Sequence, residues 1–327
     1  MCLDNLYLNS ENSISILKRA EEIKRAEQTI AKGSKSISSD VENRYNKSTV
    51  GLCFFENSTR TKLSFELAAK RLGMKVLDLA PSTSSINKGE DILDTLLTLE
   101  AMGCDFLVIR HTDDDLKEKY SKYLKAHIII AGLGTSEHPT QALADAFTLL
   151  EWKKGGLYWT DEFIKTGLNG LKLGYTGDTL HSRVASSGRK LLSKLGVELF
   201  VFSPNGLKTP SSKVKMLKNM ERLADEVDII NPLRIQREKL LNIGVTEAFE
   251  QISEICQVKL QHLTVNGEYK MLMHPGPINW GVEIDEGIRF HSAFNKFSLI
   301  QKQVENGVYV RMAILDVFSR KSQSYSD

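Results

Sequence analysis

Two apolar rhythms alternate along this chain. Residues 48–56 form a short apolar, β-prone run that reads as a buried strand, and residues 74–80, 104–110 and 126–134 read as three further strands. Between and after these runs apolar residues recur at helical spacing, over 59–73, 92–102, 113–126 and 138–152, with Gly73 and Gly103 as stops. A helix over 13–31 precedes the first strand, with Ile16, Leu17, Ala20 and Ile23 on one face and a charged face that reads as solvated.

The pattern lapses over 153–170 and then restarts. Strands are predicted at 171–178, 197–203, 227–233 and 269–274, and helices at 181–196 and around 213–224. An irregular stretch fills 234–268, and the last apolar segment, 294–319, has helical spacing interrupted at Asn306-Gly307. This order predicts an α/β chain of two doubly wound domains, each a parallel sheet with helices on both faces, bridged by helices. The expected limits are 1–152 and 153–297, with a C-terminal helix at about 298–320 docking back on the first domain. A length of 327 residues suits two such cores.

Composition narrows the class. Hydrophobic residues make up 41% and charged residues 26%, as in a soluble globular protein. The 43 basic and 41 acidic residues nearly cancel, so no bulk field draws the chain to nucleic acid or to a membrane. Cys2, Cys53, Cys104 and Cys256 fit no metal or disulfide spacing and read as reduced thiols of a cytoplasmic protein. The N-terminus lacks the basic-then-apolar order of a signal peptide, and no apolar run reaches the ~20 residues that span a bilayer.

Parallel sheets bind ligands beyond the carboxyl ends of their strands. There this chain repeats one chemical type. Ser58, Thr59, Arg60 and Thr61 stand where the first strand turns into a helix, an anion site. Ser84 and Lys88 follow the second strand, Arg110 ends the third, and His138 and Gln141 follow the fourth. In the second half Arg183, then Arg234 and Gln236, then His274-Pro275-Gly276-Pro277 take the corresponding places. Singly, each has a plain structural explanation as a cap, a surface ion pair or a satisfied histidine. Together they describe a site of Arg, Lys, His and Gln without an acidic cluster for a metal or a general base. Two groups of basic residues suit two anionic substrates, and the lack of a nucleophile paired with a base favours direct transfer through orientation and electrostatic stabilisation.

The motif FFENSTRTKLSFE resembles the carbamoyl-phosphate signature of the carbamoyltransferases, and HPTQALADAFTL resembles their second shared motif. SSINKGEDILDT, IRH, GDTLHSRV, LRIQRE and MHPGPINWGVEI are similar to the remaining blocks of aspartate carbamoyltransferase catalytic chains, in that family's order. The likeness runs from about Phe54 to Asp285, and VENGVYVRMAIL extends it into the last helix.

The resemblance implies transfer of the carbamoyl group of carbamoyl phosphate to the α-amino group of L-aspartate, giving N-carbamoyl-L-aspartate and phosphate in de novo pyrimidine biosynthesis, with no metal or organic cofactor. It makes the first domain the carbamoyl-phosphate domain and the second the aspartate domain. It implies that Ser58, Thr59, Arg60 and Thr61 hold the phosphate, and that Arg110 and His138, with Thr61, polarise the carbonyl. Gln141 and the backbone carbonyls of Pro275 and Gly276 would orient the carbamoyl NH₂, and Arg183, Arg234 and Gln236 would take the carboxylates of aspartate. Ser84 and Lys88 would reach into a neighbouring subunit, Lys88 serving catalysis and aspartate binding there, which makes a homotrimer with shared sites. Whether regulatory or other pathway subunits attach is left open.

The chain departs from the family pattern at Thr112, Leu133 and Trp280. A carbamoyltransferase for another acidic amine and a non-catalytic assembly partner are the competing readings. Arg60, Arg110 and His138 speak against the second, and Arg234-Ile235-Gln236 favours an acidic second substrate over ornithine.

Overall fold

The computed structural model describes residues 10–31, 45–79, 90–204, 207, 214–235, 248–265 and 267–323. Ser84, Lys88, Gln236 and Cys2 lie outside the described residues. The chain divides into two compact units, one made of residues up to Lys165 together with those from Val304 onward, the other of Thr166–Gln303.

The first unit runs α1 (Ser10–Ala31), β1 (Thr49–Phe54), α2 (Thr59–Arg71), β2 (Lys75–Leu79), α3 (Ile92–Ala101), β3 (Phe106–His111), α4 (Leu116–Tyr120), β4 (His127–Leu133), α5 (Pro139–Lys154) and α6 (Asp161–Thr166). Its strands form one parallel sheet in the order β2-β1-β3-β4. Cys53, Leu107, Ile109, Ile128 and Ile130 pack on one face with Leu96 and Leu99 of α3 and Leu116 of α4. The alternate residues Val50, Leu52, Val108 and Ile129 are equally buried, which is why these strands read as unbroken apolar runs.

The second unit runs β5 (Lys172–Thr176), α7 (Arg183–Leu192), β6 (Glu198–Phe202), β7 (Lys215–Met216), α8 (Met220–Glu226), β8 (Ile229–Pro232), α9 (Ala248–Cys256), α10 (Leu260–Leu263), β9 (Thr264–Val265), β10 (Glu268–Tyr269), β11 (Met271–Leu272), α11 (Glu286–Arg289) and α12 (Phe294–Phe297). Its parallel sheet has the order β11-β8-β5-β6-β7. Helices cover both faces. A Cβ on Gly174 would meet Leu223 of α8, whereas the next residue, Tyr175, points the other way and brings its hydroxyl to Gly188 of α7. The last helix, α13, is Ile300–Gln323.

Four local expectations are corrected. The charges of α1 do not form a solvated face: Lys24 is fully buried, 2.9 Å from each carboxylate oxygen of Glu151 in α5 and 2.6 Å from Oδ1 of Asn306 in α13. Asn306-Gly307 does not interrupt α13. Asn306 donates to Thr148 and Glu151, and the missing side chain of Gly307 leaves room for Arg311, whose Nη1 would lie 2.5 Å from a Cβ there. The segment expected to be irregular contains α9, α10 and a two-stranded antiparallel ladder, and Ile252, Cys256, Val258 and Leu263 belong to a core. The two charged helices are shorter than their sequence pattern. Of 113–126 only α4 is helical, and around 213–224 the chain first adds the short strand β7 before the side chain of Asn219 caps α8 by accepting from the Arg222 N–H at 2.9 Å. Among the described residues no helix is long and apolar enough to cross a membrane.

Candidate active site

In the first unit the sheet register gathers the predicted phosphate side chains. Phe54 pairs with Arg110, and Arg110 pairs with Gly132, so the loops leaving β1, β3 and β4 emerge side by side. Ser58 caps α2 without a side-chain capping bond, and Thr59, Arg60 and Thr61 make the first helical turn. A helix leaves the N–H groups of that turn without intrahelical acceptors, and its dipole favours an anion there. Arg60 is exposed and Thr61 is buried.

Arg110 sits just past a register shift between β3 and β4, an irregularity that re-aims a side chain at the end of a strand. Its Nη1 reaches the carbonyl of Ala131 at 3.4 Å, and its Nε lies 3.4 Å from Glu56, one of the two acidic residues in the first motif. His138 is 5% exposed and precedes Pro139, the first residue of α5. One helical turn on, Nε2 of Gln141 donates to Oδ1 of Asp145 at 2.8 Å.

Leu133 is 2% exposed and belongs to the first unit's core, so this departure from the family pattern lies in packing. The loop beyond it meets an acid from elsewhere: Asp114 accepts from the Ser136 N–H at 3.1 Å, and a Cβ on Gly134 would lie 2.4 Å from its carboxylate. Gly134 has φ +40, so both space and backbone call for glycine.

In the second unit Arg183 opens α7, whose cap, Ser182, accepts from the Ala185 N–H at 3.2 Å. Arg234 lies two residues past β8. These two arginine loops approach through Gly177, where φ is +100 and a Cβ would lie 2.8 Å from the Leu233 carbonyl oxygen. The Leu233 N–H donates to Thr176 at 2.8 Å. Asp178, 1% exposed, accepts from the His181 N–H at 3.0 Å and fixes the turn before Arg183.

The third strand-end loop holds Pro275 and Gly276. The Gly276 N–H donates to Nδ1 of His274 at 2.8 Å, and the His274 N–H donates to Gln303 at 2.9 Å. A histidine whose Nδ1 accepts carries its proton on Nε2 when neutral. Glu283, which the motif reading left without a role, is 1% exposed and accepts from the backbone and side-chain amides of Asn279 at 3.0 and 3.2 Å. Burial pushes its carboxyl up to about 7, while the Asn279 contacts and the nearby Arg234 charge act in the opposite sense.

Of the predicted residues, the register brings Ser58, Thr59, Arg60, Thr61, Arg110, His138 and Gln141 to one sheet edge of the first unit, while Arg183, Arg234, Pro275 and Gly276 follow strands or strand ends of the second. Asp145 and Glu283 went unread. The i, i+4 spacing from Gln141 carries the signal for Asp145, but no local pattern reveals Glu283. Among the described residues no group of three or more His, Cys, Asp or Glu side chains could hold a metal ion.

Residues 2–151 match the carbamoyl-phosphate binding domain of the aspartate/ornithine carbamoyltransferases, and residues 169–318 match their aspartate/ornithine binding domain. The chain belongs to the aspartate carbamoyltransferase catalytic subunits. The catalytic subunit from Granulibacter bethesdensis is 40% identical over 271 residues, 82% of this chain and 81% of that protein. That of Thermus thermophilus is 41% identical over 268 residues, 82% of this chain and 83% of its own length. Among solved structures, aspartate transcarbamoylase from Trypanosoma cruzi in complex with N-(phosphonacetyl)-L-aspartic acid superposes with a TM-score of 0.77 at 25% identity, covering 93% of this chain and 91% of that one. The M. jannaschii catalytic subunit gives 0.74 at 28% identity, covering 94% of each chain. Membership of this family makes the chain a transferase with the two-domain α/β fold.

Proposed function

We propose that this transferase moves the carbamoyl group of carbamoyl phosphate to the α-amino group of L-aspartate. The observation that carries the reading is the shared edge of the first unit's sheet. The open turn of α2, Arg110 and the His138 loop leave neighbouring strands there. Ser58, Thr59, Arg60 and Thr61 hold the phosphate in this reading. Arg110, His138 and Thr61 draw charge onto the carbonyl oxygen as the neutral amine attacks, which stabilises the tetrahedral oxyanion. Gln141, with the carbonyls of Pro275 and Gly276, holds the carbamoyl NH₂. Arg183, Arg234 and Gln236 hold the carboxylates of aspartate, for which the fork of arginine is suited. Phosphate leaves with its charge already balanced by the basic cradle, and it accepts the proton shed by the amine.

The assay is phosphate release from carbamoyl phosphate with L-aspartate, compared with other amino acids. Turnover should require aspartate, and Arg60→Ala should lower kcat by roughly 10²–10³, the usual loss for one preorganised charge stabiliser. Turnover that is absent or independent of aspartate in a well-folded protein would sink the reading.

Ser84 and Lys88 complete the site of an adjacent copy in this reading, and the assembly is a homotrimer. In support, Leu63 and Leu67, one turn apart on α2, and Leu77 of β2 are 56%, 42% and 38% exposed, apolar side chains that an adjacent copy would cover. The reaction belongs to de novo pyrimidine biosynthesis in the cytoplasm, a placement supported by the reduced cysteines: Cys53, Cys104 and Cys256 are free and buried, and burial raises the pKa of each thiol.

A further inference from the structure

The turn that delivers His138 is gripped by a side chain from the neighbouring loop, one to which the reaction gives no part. After β4 the Leu133 N–H donates to the Glu137 carbonyl at 2.9 Å, and the Ser136 N–H returns to the Leu133 carbonyl at 3.2 Å. The Leu133 side chain is buried in the core and brings no acceptor of its own to this turn. Asp114, between β3 and α4, supplies one. Its Oδ1 accepts from both the N–H and the hydroxyl of Ser136, the N–H at 3.1 Å.

The backbone makes a seat for this carboxylate. At Gly134 a Cβ would meet Asp114, so the carboxylate fills the space that any other residue's side chain would take. The Gly134 N–H donates to the His111 carbonyl at 2.9 Å, and Nδ1 of His111 accepts from the Asp113 N–H at 2.8 Å. The Asp113 carboxylate accepts from Lys119 of α4 at 2.6 Å, so the stretch that presents Asp114 is tied down on both sides. Arg110 lies four residues before Asp114, and His138 two residues after Ser136. The contact therefore fastens the histidine loop to the arginine loop.

We propose that Asp114 is a positioning residue: by gripping Ser136 it sets His138 where the histidine and Arg110 polarise the same carbonyl oxygen. The proposal rests on His138 acting at that oxygen. A donor preorganised for a developing oxyanion works from one fixed place, and a misplacement of about 1 Å can cost ~10² in rate. Pro139, the first residue of α5, constrains His138 from one side. Without Asp114 the turn on the other side, from Gly134 to Glu137, loses the grip on its middle. Among the described residues no hydrogen bond or ion pair joins Asp114 to Ser58, Thr59, Arg60 or Thr61, so its removal bears on the rate and not on the hold on phosphate.

The test is steady-state kinetics on the full chain, with inorganic phosphate as a competing ligand that probes the cradle. Asp114→Ala should lower kcat by about tenfold, while the inhibition constant of phosphate stays within about twofold of the parent value. Asp114→Asn, which keeps an oxygen acceptor for Ser136, should restore most of the rate. In a His138→Ala background Asp114→Ala should change kcat by less than about twofold, although it should shift unfolding by denaturant equally in both backgrounds. A merely structural residue would slow both enzymes alike. Should Asp114→Ala not fold, Ser136→Ala, which removes the hydroxyl donor, should show a smaller loss with the same dependence on His138. An unchanged kcat, an equal loss in both backgrounds, an Asp114→Asn enzyme no faster than Asp114→Ala, or phosphate binding that weakens in step with the rate overturns the proposal. A His138→Ala enzyme as fast as the parent overturns instead the role of His138 on which it rests.

Discussion

Glu283 carries a carboxyl that burial pushes to about 7, from an ordinary value of 4.5. The unfolded chain releases this proton near 4.5 and the folded one near 7, so the folded state binds it more tightly between those values. The contribution of Glu283 to stability is therefore present below 4.5, falls as pH rises from 4.5 to 7, and is level above. Glu283→Gln, which cannot ionise, should gain on the parent protein over that window by on the order of 3 kcal/mol, read from denaturant unfolding at several pH values. A difference that does not change with pH would show that the carboxyl titrates normally. Ser58, Thr59, Arg60, Thr61, Arg110 and His138 were legible because each is placed by a local event, the end of a strand or the start of a helix. The placement of Glu283 and Arg311 was not, because it comes from partners that only folding brings near: Arg311 meets Thr140 across 171 positions of sequence.

At the scale of elements, the burial of Lys24 joins α1, α5 and α13 through Glu151 and Asn306. Losing one member of a buried pair leaves the other charge without its counterion, which costs about 3–5 kcal/mol. Lys24→Met should lower unfolding stability by that order. Lys24→Met with Glu151→Met should lose less than Lys24→Met alone, since two apolar side chains replace both charges together. A double variant weaker than the single one would mean that Glu151 keeps adequate partners without Lys24. The same three helices mark the limit of periodicity as a guide. It located the inner strands of both sheets well, because a strand buried on both faces has an unmistakable apolar run, but it took the exposed edge strand β7 for part of a helix. It misjudged α1 and α13, because a buried lysine and a helical glycine look like surface and interruption until their neighbours are in place.

At the scale of the whole molecule, a shared-site trimer makes a prediction that no single chain can satisfy. Lys88→Ala and Arg60→Ala chains should each be inactive alone, yet mixed trimers formed by dissociating and reassociating the two should recover part of the activity, because some sites then contain neither substitution. Sedimentation should confirm trimers before and after mixing; mixed trimers without recovery would place Lys88 in its own chain's site. The division into units has a further consequence, which concerns synthesis. Thr166–Gln303 is one continuous stretch, whereas the first unit needs residues from Val304 onward as well. A ribosome adding about 5–20 residues per second needs on the order of 10 s to pass from Lys165 to Val304. During that interval Lys24 and Glu151 have been made and Asn306 has not. The aspartate-side unit can thus complete its core on the nascent chain first, while the phosphate-side unit stays open to chaperones and proteases until the residues of α13 from Val304 onward, which follow the whole of the other unit, arrive to close it.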